Sequence, residues 1–135
     1  MRTAAILSMT AATVLGIGVL STGTASALGG ETLVCRTANT GYSQYCVNNA
    51  APSYNAYFIV QNETAPSTYS WAVSAEESYG IVGGCAATDN YCDVSSNAHA
   101  TSNIITVSVT LTQSGSSETL TAQADLEPWC GREMC

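Results

Sequence analysis

The stretch NIITVSVTLTQSGSSETLTAQADLE, residues 103–127, contains two runs in which apolar and polar residues alternate. The apolar positions are Ile105, Val107, Val109 and Leu111 in the first run, and Leu120, Ala122, Ala124 and Leu126 in the second. A period of two is what a half-buried β-strand requires. The stretch therefore predicts a long antiparallel hairpin with one buried face and one solvent-facing face. The buried face needs a second layer to cover it.

The turn of this hairpin is predicted at residues 114–117, where the sequence reads SGSS. Folding the two runs about that segment places Leu111 opposite Leu120 and Ile105 opposite Leu126. A slip of one residue would turn each apolar set toward water, so the alternation excludes such a slip.

The rest of the chain contains further strand signals between turn-forming segments. Residues 30–38 predict a first short strand, residues 54–62 a buried strand, and residues 68–74 an alternating strand that we expect to form a second hairpin with residues 54–62. The glycines around Ile81 and Val82 indicate an edge strand, and a short strand is predicted around Asp93 and Val94.

No segment after residue 27 carries an apolar face at helical spacing for three turns. The pattern predicts an all-β protein, a small disulfide-stapled antiparallel β-sandwich that is immunoglobulin-like in general form. The Cys and Trp spacing differs from that of true immunoglobulin domains. We expect the long hairpin to form one half of the sandwich, and the other half to carry Tyr57, Ile59, Tyr69, Trp71 and Val73.

The amino-terminal residues 1–27 have one Arg, an apolar stretch and an Ala-Ser-Ala end, which together are typical of a secretory signal peptide. Their Ala-, Thr- and Gly-rich style resembles bacterial signals. The domain prediction is therefore a signal peptide at 1–27 and a single secreted β-sandwich domain at 28–135, in the extracellular space.

The chain is acidic, with a formal charge of −7 that becomes −8 once residues 1–27 and their arginine are removed. It contains no Lys. This charge disfavours binding to nucleic acid and to anionic membranes, and the lack of Lys excludes Schiff-base chemistry.

Six cysteines lie in the exported part, and an even number in a small secreted domain indicates disulfides. Their spacing favours pairing between sequence neighbours: Cys35 with Cys46, Cys85 with Cys92, and Cys130 with Cys135. The spacings match no common zinc finger and His99 is the only His, so we predict no metal site and no cofactor.

The segment TANTGYSQYCVNNAAPSYNAY, residues 37–57, interleaves tyrosines with Asn, Ser and Gly. This composition is typical of recognition surfaces, because Tyr offers a large amphipathic contact area at low entropic cost. The candidate binding residues are Tyr42, Tyr45, Tyr54 and Tyr57. The alternative is that these rings only pack on the core strand and on the Cys35–Cys46 disulfide.

No constellation of catalytic residues is evident, since His99 lacks an identifiable nucleophile and orienting partner. Asp89, Asn90 and Asp93 offer calcium-type oxygen ligands, but their spacing differs from the EF-hand series and a disulfide loop requires such turn residues anyway.

These features predict a secreted, non-enzymatic protein-binding module, an adaptor in an extracellular toxin or surface assembly. It would contact an extracellular protein through the Tyr-rich loops or through a strand edge, such as the free-ended segment 29–34. One alternative is an inhibitor of a secreted hydrolase. The ring CGREMC at 130–135 has the shape of such a contact loop, but the pattern favours a ring that only pins the carboxy terminus. Another is a carrier of a small-molecule ligand, because the chain resembles the neocarzinostatin-like apoproteins in size and style.

Overall fold

The computed structural model describes residues 28–38, 40–48 and 54–128. The predicted signal peptide at 1–27 and the predicted pair Cys130 and Cys135 lie outside these ranges. Within them the chain forms eight strands and no helix: β1 (Thr32–Arg36), β2 (Tyr45–Val47), β3 (Asn55–Gln61), β4 (Thr68–Ala75), β5 (Tyr79–Gly84), β6 (Tyr91–Ser96), β7 (Asn103–Gln113) and β8 (Ser116–Leu126). Accordingly, no segment of these ranges is an apolar helix of membrane-spanning length.

The strands form two four-stranded sheets that face each other in a sandwich-like arrangement. Sheet 1 has the order β1-β3-β6-β5 and sheet 2 the order β2-β8-β7-β4. Neighbouring strands are antiparallel, except that β2 runs parallel to β8. The core between the sheets is apolar, with Phe58 and Val94 from sheet 1 packed in one cluster with Val107 and Val109 from sheet 2. The prediction of an all-β fold is confirmed.

The long hairpin is confirmed as β7 and β8, but its predicted register is wrong by two residues. Leu120 lies opposite Val109, and Leu111 lies opposite Glu118. The turn consists of two residues, Ser114 and Gly115, with φ angles of 48° and 85°. A two-residue turn with two positive φ angles matches the twist of the flanking strands, so the turn geometry selects this register. Because side chains alternate with a period of two, a register shift of two residues leaves the same side chains on the buried face.

The solvent-facing side of the hairpin is a ladder of paired hydroxyl groups. Its three cross-strand hydrogen bonds join Ser108 to Thr121 (2.9 Å), Thr110 to Thr119 (2.8 Å) and Thr112 to Ser117 (2.9 Å). Hydrogen bonds between directly opposed side chains stabilise an antiparallel pair. The ladder therefore supports the observed register.

The predicted hairpin between residues 54–62 and 68–74 is wrong. Strand β3 pairs with β1 and β6 in sheet 1, whereas β4 pairs with β7 in sheet 2. Between them Asn62 has a φ of 63°, a conformation that Asn tolerates better than most residues. The connection therefore crosses from one sheet to the other.

The predicted composition of the second half of the sandwich is also wrong. Tyr69, Trp71 and Val73 pack against the core, but they do so from β4, in the same sheet as the long hairpin. Tyr57 and Ile59 are only partly buried, because β3 buries its other face, formed by Ala56, Phe58 and Val60.

Two of the three predicted disulfides are confirmed within the described residues. Cys35–Cys46 joins β1 of sheet 1 to β2 of sheet 2, with a Cα–Cα distance of 6.0 Å. Cys85–Cys92 joins the end of β5 to β6, with a Cα–Cα distance of 4.5 Å. The first bond connects the two sheets, and the second closes the turn at one edge of sheet 1.

Candidate functional site

The outer face of sheet 1 brings charged and aromatic side chains together in one row. In the strand register Arg36 on β1 lies opposite Tyr57 on β3, and Tyr57 lies opposite Asp93 on β6. Directly opposed residues in antiparallel strands project from the same face. The strand pairing therefore places a cation, an aromatic ring and a carboxylate side by side, although the three residues are far apart in the sequence.

Two more tyrosines complete this arrangement. The Arg36 guanidinium carbon lies 5.2 Å from the ring centroid of Tyr42 and 5.4 Å from that of Tyr57, within the range of a cation–π contact. The Tyr57 ring stacks on the Tyr91 ring with a centroid distance of 5.5 Å. We call Arg36, Tyr42, Tyr57, Tyr91 and Asp93 the Arg36 cluster.

Burial influences the ionisation of two members of the cluster. Desolvation raises the pKa of the Tyr57 phenol, and the neighbouring phenols of Tyr42 and Tyr91 raise it further, so Tyr57 is a neutral hydrogen-bonding group at physiological pH. Desolvation also raises the pKa of Asp93, and the charge of Arg36 opposes this effect. The carboxylate of Asp93 is therefore partly stripped of water.

A cavity of about 470 Å³ opens beside the cluster. Such a volume is within the range of about 300–1,000 Å³ that is usual for ligand sites. Its lining combines one aromatic ring with charged and polar groups: Arg36, Thr37, Ala38, Thr40, Asn55, Tyr57 and Asp93.

The rim of the cavity is a short turn that hydrogen bonds hold in place. The Thr37 amide donates to the Thr40 hydroxyl oxygen (2.9 Å), and the Thr40 amide donates to the Thr37 carbonyl (3.3 Å). The Thr37 hydroxyl also donates to the carbonyl of Val47 at 3.2 Å. The last of these bonds connects the rim of the cavity to β2.

The structure brings together two of the four predicted binding tyrosines, Tyr42 and Tyr57. Tyr45 lies on β2 in sheet 2, 51% exposed, and its hydroxyl donates to Asp125 at 3.2 Å. Tyr54 stacks on His99 with a centroid distance of 3.9 Å.

Sequence reasoning did not identify Arg36 or Tyr91 as site residues, and it considered Asp93 only as a calcium ligand. In the structure Asp89 accepts a hydrogen bond from the Ala86 amide, whereas Asp93 lies in the Arg36 cluster. No group of three metal-ligating side chains occurs in the described ranges. The missing signal was the strand register, since only the pairing of β1, β3 and β6 places these residues in one row.

The edges of sheet 1 form the other candidate surfaces. Strand β5 is an edge strand, as predicted, and exposes Ile81 (56%) and Val82 (58%). A bulge between Ile81 and Gly83 interrupts its ladder, a feature that discourages pairing with another strand.

At the opposite edge, the predicted free-ended segment 29–34 contributes to β1, which is the other edge strand of sheet 1. At the start of this segment the Glu31 carboxylate accepts hydrogen bonds from the amides of Gly29 and Gly30, so these two amides already have a partner. Farther along, the backbone of Cys35 is bonded in both directions to Ser43. The free edge of β1 is therefore short.

Comparison with protein-family models, with curated proteins and with solved structures found no match for this chain. The functional interpretation consequently depends on the geometry of the Arg36 cluster and its cavity.

Proposed function

We propose that this chain is a secreted, non-enzymatic binding module of immunoglobulin-like form, which contacts an extracellular protein through the Arg36 cluster as an adaptor in a toxin or surface assembly. The observation that carries the proposal is the partly exposed Arg36 cluster, in which an arginine lies over two tyrosine rings. Tyr and Arg, together with Trp, are enriched among the residues that dominate binding energy at protein interfaces.

The strand order supports the immunoglobulin-like form. Lettering β1 as A, β3 as B, β4 as C and β5 to β8 as D to G gives A-B-E-D in sheet 1 and C-F-G in sheet 2, with β2 added beside G. These are the two strand orders of the constant-type immunoglobulin sandwich. In such folds the sheets act as a rigid scaffold that holds the recognition surface in place.

The covalent structure supports an extracellular location. Cys35–Cys46 and Cys85–Cys92 are both intramolecular disulfides, which form and persist in oxidising compartments. The acidic charge of the chain favours a partner whose contact surface is basic or neutral, because like charges across an interface oppose association.

The cavity beside the cluster favours a second candidate function, the binding of a small molecule. An open space of about 470 Å³ is within the size range of small-molecule sites, and its lining mixes one aromatic ring with polar groups. The inhibitor alternative depends on the segment 130–135, which lies outside the described residues.

The test is the native size of the protein in the culture fluid of its producer, measured by size-exclusion chromatography with detection of this chain. We expect it to elute with a partner chain, which mass spectrometry identifies and which reassembles with the purified protein. Tyr57→Ala should abolish co-elution, and Tyr45→Ala, which removes an exposed tyrosine outside the cluster, should not. Elution as a monomer, or equal loss with both variants, would refute the proposed docking surface.

A further inference from the structure

Tyr57 lines the cavity, and its ring lies between two contacts: the Arg36 guanidinium from β1 and the stacked Tyr91 ring from β6. These contacts hold the ring in a fixed orientation. Its phenol hydroxyl, which burial keeps protonated by raising its pKa, can both donate and accept a hydrogen bond. A sugar ring carries several hydroxyls that can pair with such a group.

The two side chains that flank the Tyr57 ring carry opposite charges. Arg36 and Asp93 lie on the strands to either side of Tyr57, in the same row of the sheet. Arg36 can only donate hydrogen bonds and ionised Asp93 can only accept them. A ligand hydroxyl does both, so a polyhydroxylated ligand can satisfy the two groups at once.

The hydrogen-bonding capacity of these two groups is not used within the described part of the chain. In that part of the chain the Arg36 guanidinium lies over the rings of Tyr42 and Tyr57, and it interacts electrostatically with Asp93. Within the described ranges no hydrogen bond to the Asp93 side chain is present, and burial removes part of its hydration. Both groups therefore remain able to bond a ligand.

The balance of charge argues for a neutral ligand. An anion bound beside Arg36 would also lie next to Asp93 and in the field of a chain with formal charge −7. A cation beside Asp93 would be repelled by Arg36. Because the two side-chain charges cancel, an uncharged ligand is the one that neither group disfavours.

We infer that the cavity formed by Arg36, Thr40, Asn55, Tyr57 and Asp93 binds a neutral saccharide unit. The inference deepens the proposed function and depends on it in one respect, namely that the Arg36 cluster is the recognition site. The saccharide can belong to a glycan on the protein partner or to a free extracellular polysaccharide, since both present the same ring chemistry.

Calorimetric titration of the purified mature protein tests the inference. The neutral probes are cellotetraose, mannotetraose, galactotetraose and chitotetraose at millimolar concentration, and the anionic probe is tetragalacturonate. We expect at least one neutral probe to bind and the anionic probe to bind more weakly. Tyr57→Ala should raise Kd by at least about tenfold. Asp93→Asn, which keeps the shape of the side chain, should raise it by about fivefold or more.

Tyr45→Ala is the matched control and should leave Kd within about twofold of the parent value. Chemical denaturation of each variant shows whether the fold is retained. The inference is overturned if no neutral probe binds, if tetragalacturonate binds more tightly, or if neither Tyr57→Ala nor Asp93→Asn weakens binding more than the control does.

The same measurements separate this inference from the proposed function. A protein partner that still depends on Tyr57 while no saccharide binds would overturn the inference alone. Saccharide binding by a chain that elutes as a monomer would overturn the protein-partner proposal alone. Enzymatic removal of glycans from an identified partner distinguishes the two sources of the saccharide, because only a protein-borne glycan would be lost.

Discussion

The orientation of β3 decides which of two neighbouring aromatic residues stabilises the fold. Phe58 is fully buried between the sheets, whereas Tyr57 lies on the outer face and is only partly buried. We therefore expect Phe58→Ala to be far more destabilising than Tyr57→Ala, although the two changes remove similar side chains from adjacent positions.

The size of the expected loss in unfolding free energy follows from how deeply each side chain is buried. Truncating a fully buried Phe leaves a cavity and loses its transfer free energy, about 3–5 kcal/mol in total. Tyr57→Ala loses one ring stack and one cation–π contact at a partly exposed site, which together amount to about 1 kcal/mol. The free energies of unfolding of the two variants should therefore differ by about 2–4 kcal/mol. With about 4–8 °C per kcal/mol for a domain of this size, Phe58→Ala should lower Tm by roughly 12–40 °C.

The assay is equilibrium unfolding in urea, followed by tryptophan fluorescence, to which the partly buried Trp71 contributes, with the disulfides intact. If Phe58→Ala leaves too little folded protein to measure, Phe58→Leu provides a milder truncation at the same site, with an expected loss of about 1–2 kcal/mol. Equal losses for the Tyr57 and Phe58 variants, or a larger loss at Tyr57, would mean that β3 presents its other face to the core and would refute the reasoning.

Three further predictions, the second with a matched control variant, test other parts of the structure. Replacing Cys35 and Cys46 together by Ala removes the bond that closes a loop with a sequence separation of 11, and should lower the free energy of unfolding by about 3 kcal/mol in urea titrations. Gly84→Ala should cost about 1–3 kcal/mol, because a Cβ there would overlap the Tyr91 carbonyl and the φ of 68° disfavours a side chain. Gly83→Ala, with no atom within 4 Å of the added Cβ, should change stability by less than about 0.5 kcal/mol. Burial raises the pKa of Asp93, so the native state binds this proton more tightly than the unfolded state does. The contribution of Asp93 to the free energy of unfolding should therefore fall as pH rises from the ordinary pKa of an aspartate through this raised value. Asp93→Asn should remove this fall and become more stable relative to the parent as pH rises from acid to neutral, whereas an unchanged difference across that range would contradict the desolvation of this carboxyl.

The long hairpin shows how far an alternating pattern can specify a structure. The period of two predicted both strands and the buried face, because any odd shift would expose Val107 and Val109. A shift of two leaves every side chain on the same face, so the pattern could not select between the expected register and the observed one. That choice depended on the backbone of Ser114 and Gly115, whose two positive φ angles close a turn shorter than the predicted one.

Strand β3 shows why the second layer was predicted incorrectly. Residues 56–60 read AYFIV and are apolar or aromatic at every position, so either face could have been the buried one. The choice is made by long-range packing, which buries Phe58 and leaves Tyr57 outside. The short strand β2 was missed for a related reason. It has three residues and pairs with β8, more than 70 residues away, so no local alternation identifies it.

The candidate site was predicted only in part because its chemistry is assembled by strand pairing. The Tyr-rich segment contributes Tyr42 and Tyr57, but the charged groups come from β1 and β6. Composition alone detects a dense group of tyrosines. It does not show which of them will lie beside a charge, and it ranked Tyr45 equally with Tyr57.

The disulfide between the sheets links the stability of the fold to the order of the site. The loop that Cys35–Cys46 closes contains Arg36, Thr40 and Tyr42, so one bond restrains the cation, the rim and one aromatic ring of the site. Backbone hydrogen bonds between Cys35 and Ser43 tighten the same loop. A loop held at both ends loses less conformational entropy when a ligand binds, and this preorganisation favours affinity. Under the function proposed above, the disulfide would contribute to recognition as well as to folding, because it restrains Arg36, Thr40 and Tyr42 in the candidate site.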